Sequence, residues 1–152
     1  MSLKKYQMYI DGEFVDAENN QSFESLNPEN NKPWAIVPEA SKKDIDRCIQ
    51  SAKLAFHSWS KTSVAERAKY LRAIGDKMFE QAEILGKTES IDSGKLLKET
   101  KFQSEYMKEY FYYYADLAES MKNETLIPNI DKPDMEVVEI KEPIGVIACI
   151  IP

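Results

Sequence analysis

The sequence predicts a mainly helical chain framed by an N-terminal β-hairpin and by strands towards its C-terminal end. Three observations carry that expectation. An Asp-Gly turn separates short alternating runs near the start, three long stretches place apolar residues at helical spacing, and an almost continuous aliphatic run, EPIGVIACIIP, fills residues 142–152.

In YQMYIDGEFVDA (6–17), Tyr6, Met8 and Ile10 alternate to one side, and Asp11-Gly12 can supply the positive φ angles of a tight turn before Phe14 and Val15. The next stretch, LNPENNKPWAIVPEAS (26–41), is broken by Pro28, Pro33 and Pro38. It reads as a connector with one short strand, Trp34 to Val37, and not as core.

Three helices are expected after it. Ser41 three places before Asp44 resembles a capping box, and Ile45, Cys48, Ile49, Ala52 and Phe56 then recur on one face, which places Cys48 on a packed surface. Ser63 with Glu66 opens a second helix whose Ala68, Leu71, Ile74, Met78 and Leu85 face inward, and Gly94 marks its end. The third, from about Leu96 to Met121, carries two apolar stripes. Phe102, Tyr106, Tyr110, Tyr113 and Leu117 form one, and Met107, Phe111, Tyr114, Ala118 and Met121 the other. A surface helix needs only one stripe, so this helix is either packed on two sides or central to a small bundle. Proline-punctuated loop and strand follow at 123–145, and the last run reads as a strand buried on both faces.

Composition excludes several functions. With 152 residues, 43% hydrophobic and 30% charged, the chain is ordinary globular material. A formal charge of -6 without basic runs argues against a nucleic-acid partner, and the tyrosines of the third helix lack the basic groove of a base-stacking platform. No segment approaches the roughly 20 apolar residues of a membrane span, so a cytoplasmic protein without a membrane partner is expected. Cys48 and Cys149 form no CxxC or His/Cys cluster, and His57 stands alone, so no metal site is expected. There is no GxGxxG, GxxxxGK[ST] or GxSxG, and 26 acidic residues make carboxylate pairs inevitable, so spacing singles out no catalytic pair.

Taken in order, YIDGEFVDA, NPENNKPWAIVPEAS, AFHSWSKTSVAERAKYLRAIGDKM, ESIDSGKLLKE and KEPIGVIACIIP resemble the N-terminal part of the NAD(P)-dependent aldehyde dehydrogenases, over nearly all of residues 6–152. Asn31 stands where the family usually has glycine, and Leu96 where it often has proline. The resemblance implies an α/β parent fold with a Rossmann-type cofactor domain. Residues 1–152 would be a single incomplete domain, the N-terminal part of that cofactor-binding domain, with 134–142 resembling an oligomerisation-strand segment.

The intact family oxidises an aldehyde to a carboxylate with NAD or NADP. A cysteine thiolate attacks the aldehyde, an asparagine and a backbone amide hold the oxyanion, and a glutamate activates water. None of these residues has a match here, and Cys149 falls in a strand motif that is not the nucleophile, so no catalytic residue is expected. What carries over is the edge of the cofactor site at Ile150, Ile151 and Pro152, where the first strand of the nucleotide sheet ends; the three are equally readable as plain core. The chain is expected to bind no cofactor alone and to meet its aldehyde only in the intact enzyme.

Burying five aliphatics of the last run is worth about 1.5–3 kcal/mol each, so a strand left without neighbours forfeits on the order of 10 kcal/mol, comparable with a domain's net stability. A truncated piece is therefore expected, acting either as part of the enzyme or as a non-enzymatic assembly module that forms a homo-oligomer or pairs with the missing part.

Overall fold

The computed structural model describes residues 3–128, 131–132 and 134–151. Seven short strands and four helices follow one another: β1 (Lys4–Lys5), β2 (Met8–Ile10), β3 (Glu13–Val15), β4 (Ser22–Asn27), β5 (Lys32–Pro38), α1 (Lys42–Trp59), α2 (Val64–Glu80), α3 (Ala82–Ser93), α4 (Leu97–Ser120), β6 (Glu124–Ile127) and β7 (Val137–Ile140).

The hairpin forms where the alternation places it. β2 and β3 pair antiparallel with Ile10 opposite Glu13, and the two turn residues have φ of 57° (Asp11) and 81° (Gly12), the pair of positive angles that matches strand twist. Its inner side meets α1, where Ser51 Oγ donates to Asp11 Oδ1 at 3.0 Å.

The connector is more than a connector. β5 pairs antiparallel with β4 and parallel with β1, giving a three-stranded sheet ordered β1-β5-β4, and Ala35 at its centre is fully buried. The prolines do not prevent this, because Pro33 and Pro38 sit at the two ends of the β4–β5 ladder, next to a bulge at Ser25/Leu26 in the one case and at the strand terminus in the other. At the β4–β5 turn Asn31 takes φ 54°, the left-handed conformation open to asparagine.

The capping box at Ser41 and Asp44 is complete, and it is also tertiary. Asp44 is buried; its carboxylate accepts from the Ser41 amide at 2.8 Å and from the Glu18 amide at 3.2 Å, tying the start of α1 to the loop after β3. Those bonds, the Ser41 amide first, hold the carboxyl below its ordinary range.

Two helix expectations need correction. The predicted second helix is two helices, with Gln81 both ending α2 and opening α3, which turns the chain so that both helices lie against α4. α1 does not bury its apolar stripe either. Ile45 and Ile49 are exposed, as is Cys48, because none of the other helices is packed on that face.

α4 holds the helices together through small residues. Gly75 of α2 and Gly86 of α3 let its backbone come close, and Ala68, Ala115 and Thr100 are fully buried at the contacts. Ion pairs flank the seams: Arg72 holds Asp116 at 2.5 Å and Glu119 at 2.6 Å, Lys108 reaches Asp76 at 2.8 Å, and Lys101 reaches Glu83 at 2.6 Å. Only one of the two expected stripes is used, that of Met107 and Phe111; Phe102, Tyr106, Tyr110 and Tyr113 remain exposed, the first three as a ladder of ring contacts.

Beyond α4, β6 and β7 form a two-stranded antiparallel ribbon with every residue exposed.

Candidate functional site

The C-terminal run is the candidate the sequence singles out. Residues 141–151 are assigned to no strand, so the run expected to be doubly buried lies outside any sheet ladder among the described residues. Ile144 is 94% exposed and Ile150 95% exposed, with Ile151 at 76%. The physical reason is plain: a strand buried on both faces needs neighbours on two edges and layers on two faces, and the described residues supply none of them. Pro152 lies outside the described residues.

Ile150 and Ile151 are therefore both open to solvent. Two aliphatic side chains offer an apolar wall but no donor for a pyrophosphate or a ribose hydroxyl, so they do not by themselves make a dinucleotide site. Cys149 is beside them and exposed, as Cys48 is on α1, so the structure does not bring the two thiols into apolar cores. His57, in the last turn of α1, is exposed, and no group of acidic, His and Cys side chains that could hold a metal occurs among the described residues. Among the described residues, no helix is long and apolar enough to cross a membrane.

Sequence reasoning missed one polar junction. Asp92 near the end of α3 accepts from Ser25 Oγ at 2.5 Å and from Trp34 Nε1 at 3.1 Å, fastening the three-stranded sheet to the helices. The Asp of ESIDSGK and the Trp of KPWAIV are 58 positions apart, so only a tertiary arrangement reveals the pair. Gly94, two residues on, closes α3 with φ 75° directly against the Pro28 ring.

The model of a family described as the aldehyde dehydrogenase family matches residues 14–152. This chain belongs to the aldehyde dehydrogenase family. Its relatives include (Z)-2-((N-methylformamido)methylene)-5-hydroxybutyrolactone dehydrogenase of Acinetobacter baylyi, 38% identical across 99% of this chain and 30% of that protein. The peroxisomal aminoaldehyde dehydrogenase 1 of Pisum sativum is 35% identical, across 100% of this chain and 31% of its own length. Among solved structures, betaine aldehyde dehydrogenase of Staphylococcus aureus in complex with NAD+ matches with a TM-score of 0.80 and 36% identity, covering 90% of this chain and 27% of the other.

The chain thus spans less than a third of the aldehyde dehydrogenases it matches. It corresponds to the helical N-terminal part of an α/β parent fold, with the hairpin at one end and the β6–β7 ribbon at the other.

Proposed function

We propose that this chain serves as the N-terminal part of an enzyme that oxidises an aldehyde to a carboxylate with NAD+ or NADP+, and that it is inactive by itself. The observation that carries this reading is the match of 90% of the chain, at a TM-score of 0.80, to an NAD+-bound betaine aldehyde dehydrogenase. The chemistry of the reading is a net transfer of hydride from the aldehyde to the nicotinamide, with water supplying the second carboxylate oxygen. This chain contributes a scaffold: α2 and α3 on α4, and the run 144–151 as a strand leading into the nucleotide sheet with Ile150, Ile151 and Pro152 at the edge of the cofactor site. We place residues 134–142 in an oligomerisation strand, the assembled enzyme as a homo-oligomer, and its location in the cytoplasm.

The test is a rate measurement. The purified 152-residue chain, and the longest polypeptide that its gene encodes, are each given a panel of small aliphatic aldehydes with NAD+ or NADP+, and reduced dinucleotide is recorded. Turnover by the longer polypeptide and none by the 152-residue chain is expected. Turnover by the short chain overturns its inactivity, and no turnover by either overturns the enzymatic reading.

A second reading rests on the β6–β7 ribbon. A two-stranded ribbon with both faces exposed is marginal in water, so it would suit a chain that assembles with a second polypeptide and performs no chemistry. Monomeric sedimentation at high concentration, with no binding of hydrophobic dye, would count against it.

A further inference from the structure

A cleft of about 570 Å³ opens between the α1–α2 connection and residues 141–145. Its size lies within the range of small-molecule sites, roughly 300–1,000 Å³. Two kinds of wall meet there. Phe56, Trp59 and Pro143 supply apolar surface, and the rings of Trp59 and Tyr70 hold each other at 5.7 Å. Lys61, Arg67 and Lys141 also line it, three cations against the single carboxylate of Glu142.

That excess of positive charge occurs in a chain of net charge -6, and it differs from the paired cations further along α2. Lys69, Arg72 and Lys77 each hold a carboxylate within 3.0 Å, whereas among the described residues Lys61 and Arg67 hold none. Arg67 Nη1 donates to the Thr62 carbonyl at 2.6 Å, which fixes the guanidinium against the connecting loop. Lys141 has only a loose partner, Glu139 at 3.8 Å. Ser63 Oγ accepts from the Glu66 amide, so its own proton remains available as a donor.

We infer that this cleft binds a small aromatic anion, with the charged group facing Arg67, Lys61 and Lys141 and the ring lying against Trp59. A planar guanidinium sharing a cleft with two ammonium groups suits a phosphate or carboxylate oxygen pair, and an indole face suits an aromatic body. The inference does not depend on the chemistry of the enzymatic reading, although Ile144 and Gly145, which open the run 144–151, line the cleft together with the α1–α2 connection.

The test is calorimetric titration of the longest polypeptide that carries this chain, with NAD+ present in excess so that a dinucleotide site is filled. The probes are phenyl phosphate, benzoate, inorganic phosphate and phenol. Phenyl phosphate or benzoate should bind, the two half-probes at least about tenfold more weakly, and Trp59→Ala and the double variant Lys61→Gln/Lys141→Gln should each weaken the aromatic anion by a similar factor. Both lysines are exposed, so the double variant keeps the fold. Absence of binding, binding unchanged in these variants, or inorganic phosphate matching phenyl phosphate would overturn the inference. So would a crystal structure in which a carboxylate from elsewhere in the polypeptide already occupies Arg67.

Discussion

Thr100 on α4 donates its hydroxyl to the carbonyl of Gly86 on α3 at 2.8 Å, and the two helices meet backbone to backbone at that point. A Cβ placed on Gly86 would stand 2.7 Å from Lys101 Cα and 2.8 Å from its amide nitrogen. The contact explains why a β-branched polar residue is fully buried in a helix: its hydroxyl is spent on the neighbouring helix, and its small size permits the approach.

Gly86→Ala should therefore destabilise the chain, although alanine favours a helix by about 1 kcal/mol over glycine. The added methyl meets backbone that cannot swing away, and overpacking of this kind costs roughly 1–3 kcal/mol. Urea unfolding is the check. A variant as stable as the parent would mean that α3 and α4 are not in close contact here.

Much of this scaffold was legible in the sequence because the signals were local. Asp11-Gly12, the Ser41/Asp44 box and Gly94 each act within a few residues, and each is found where expected. The errors came from partners remote in the chain. β4 was invisible because Ser22, Glu24 and Ser25 alternate weakly, and only pairing to β5 makes them a strand. The burial expected for Ile45, Cys48 and the run 144–151 is absent because apolar periodicity states that a face wants a cover without saying which element provides it. The cofactor edge at Ile150 and Ile151 came from resemblance alone, since two aliphatic residues carry no chemical signal of their own.

At the β4–β5 turn, Asn31→Gly should be neutral or slightly stabilising and Asn31→Val destabilising by about 1–2 kcal/mol. With φ at 54°, a β-branched side chain collides with its own backbone, while glycine is at ease there. Thermal unfolding of the two variants side by side decides it; equal melting temperatures would contradict a left-handed residue 31.

The Glu83 carboxyl should make stability sensitive to acid. Lys101 foremost, and then Lys87, lower its pKa from 4.5 to about 2. A carboxyl with a depressed folded pKa stabilises when ionised, so its contribution is complete above about 4.5 and fades as the pH falls towards about 2. Glu83→Gln should lag the parent near neutral pH and match it near pH 2. The effect should be small and shrink in high salt, because both Glu83 and Lys101 are about half exposed. A deficit that persists unchanged at pH 2 would assign it to packing instead.

The aromatic ladder of α4 should tolerate polar replacement in the isolated chain. Phe102, Tyr106 and Tyr110 are 61%, 49% and 51% exposed, so substituting each with Gln should shift stability by no more than about 0.5 kcal/mol per site. Binding of a hydrophobic dye should fall, since the contiguous exposed patch is what such a dye recognises. Strong destabilisation by the single variant Tyr106→Gln would show that the ladder is already covered in the folded chain.

The last run separates the isolated chain from the longer enzyme most sharply. At Ile150 a side chain that is 95% exposed has nothing to lose, so Ile150→Ala should leave the unfolding midpoint of the 152-residue chain unchanged. If 144–151 becomes an inner strand in the longer polypeptide, the same substitution removes three buried carbons there and should cost about 2–5 kcal/mol. Measuring both proteins under one set of conditions cancels the effect of the substitution on the unfolded state. A cost confined to the longer polypeptide supports the proposed strand, whereas a negligible cost in both would leave the apolar run on the surface and remove the basis for placing Ile150 at a cofactor edge.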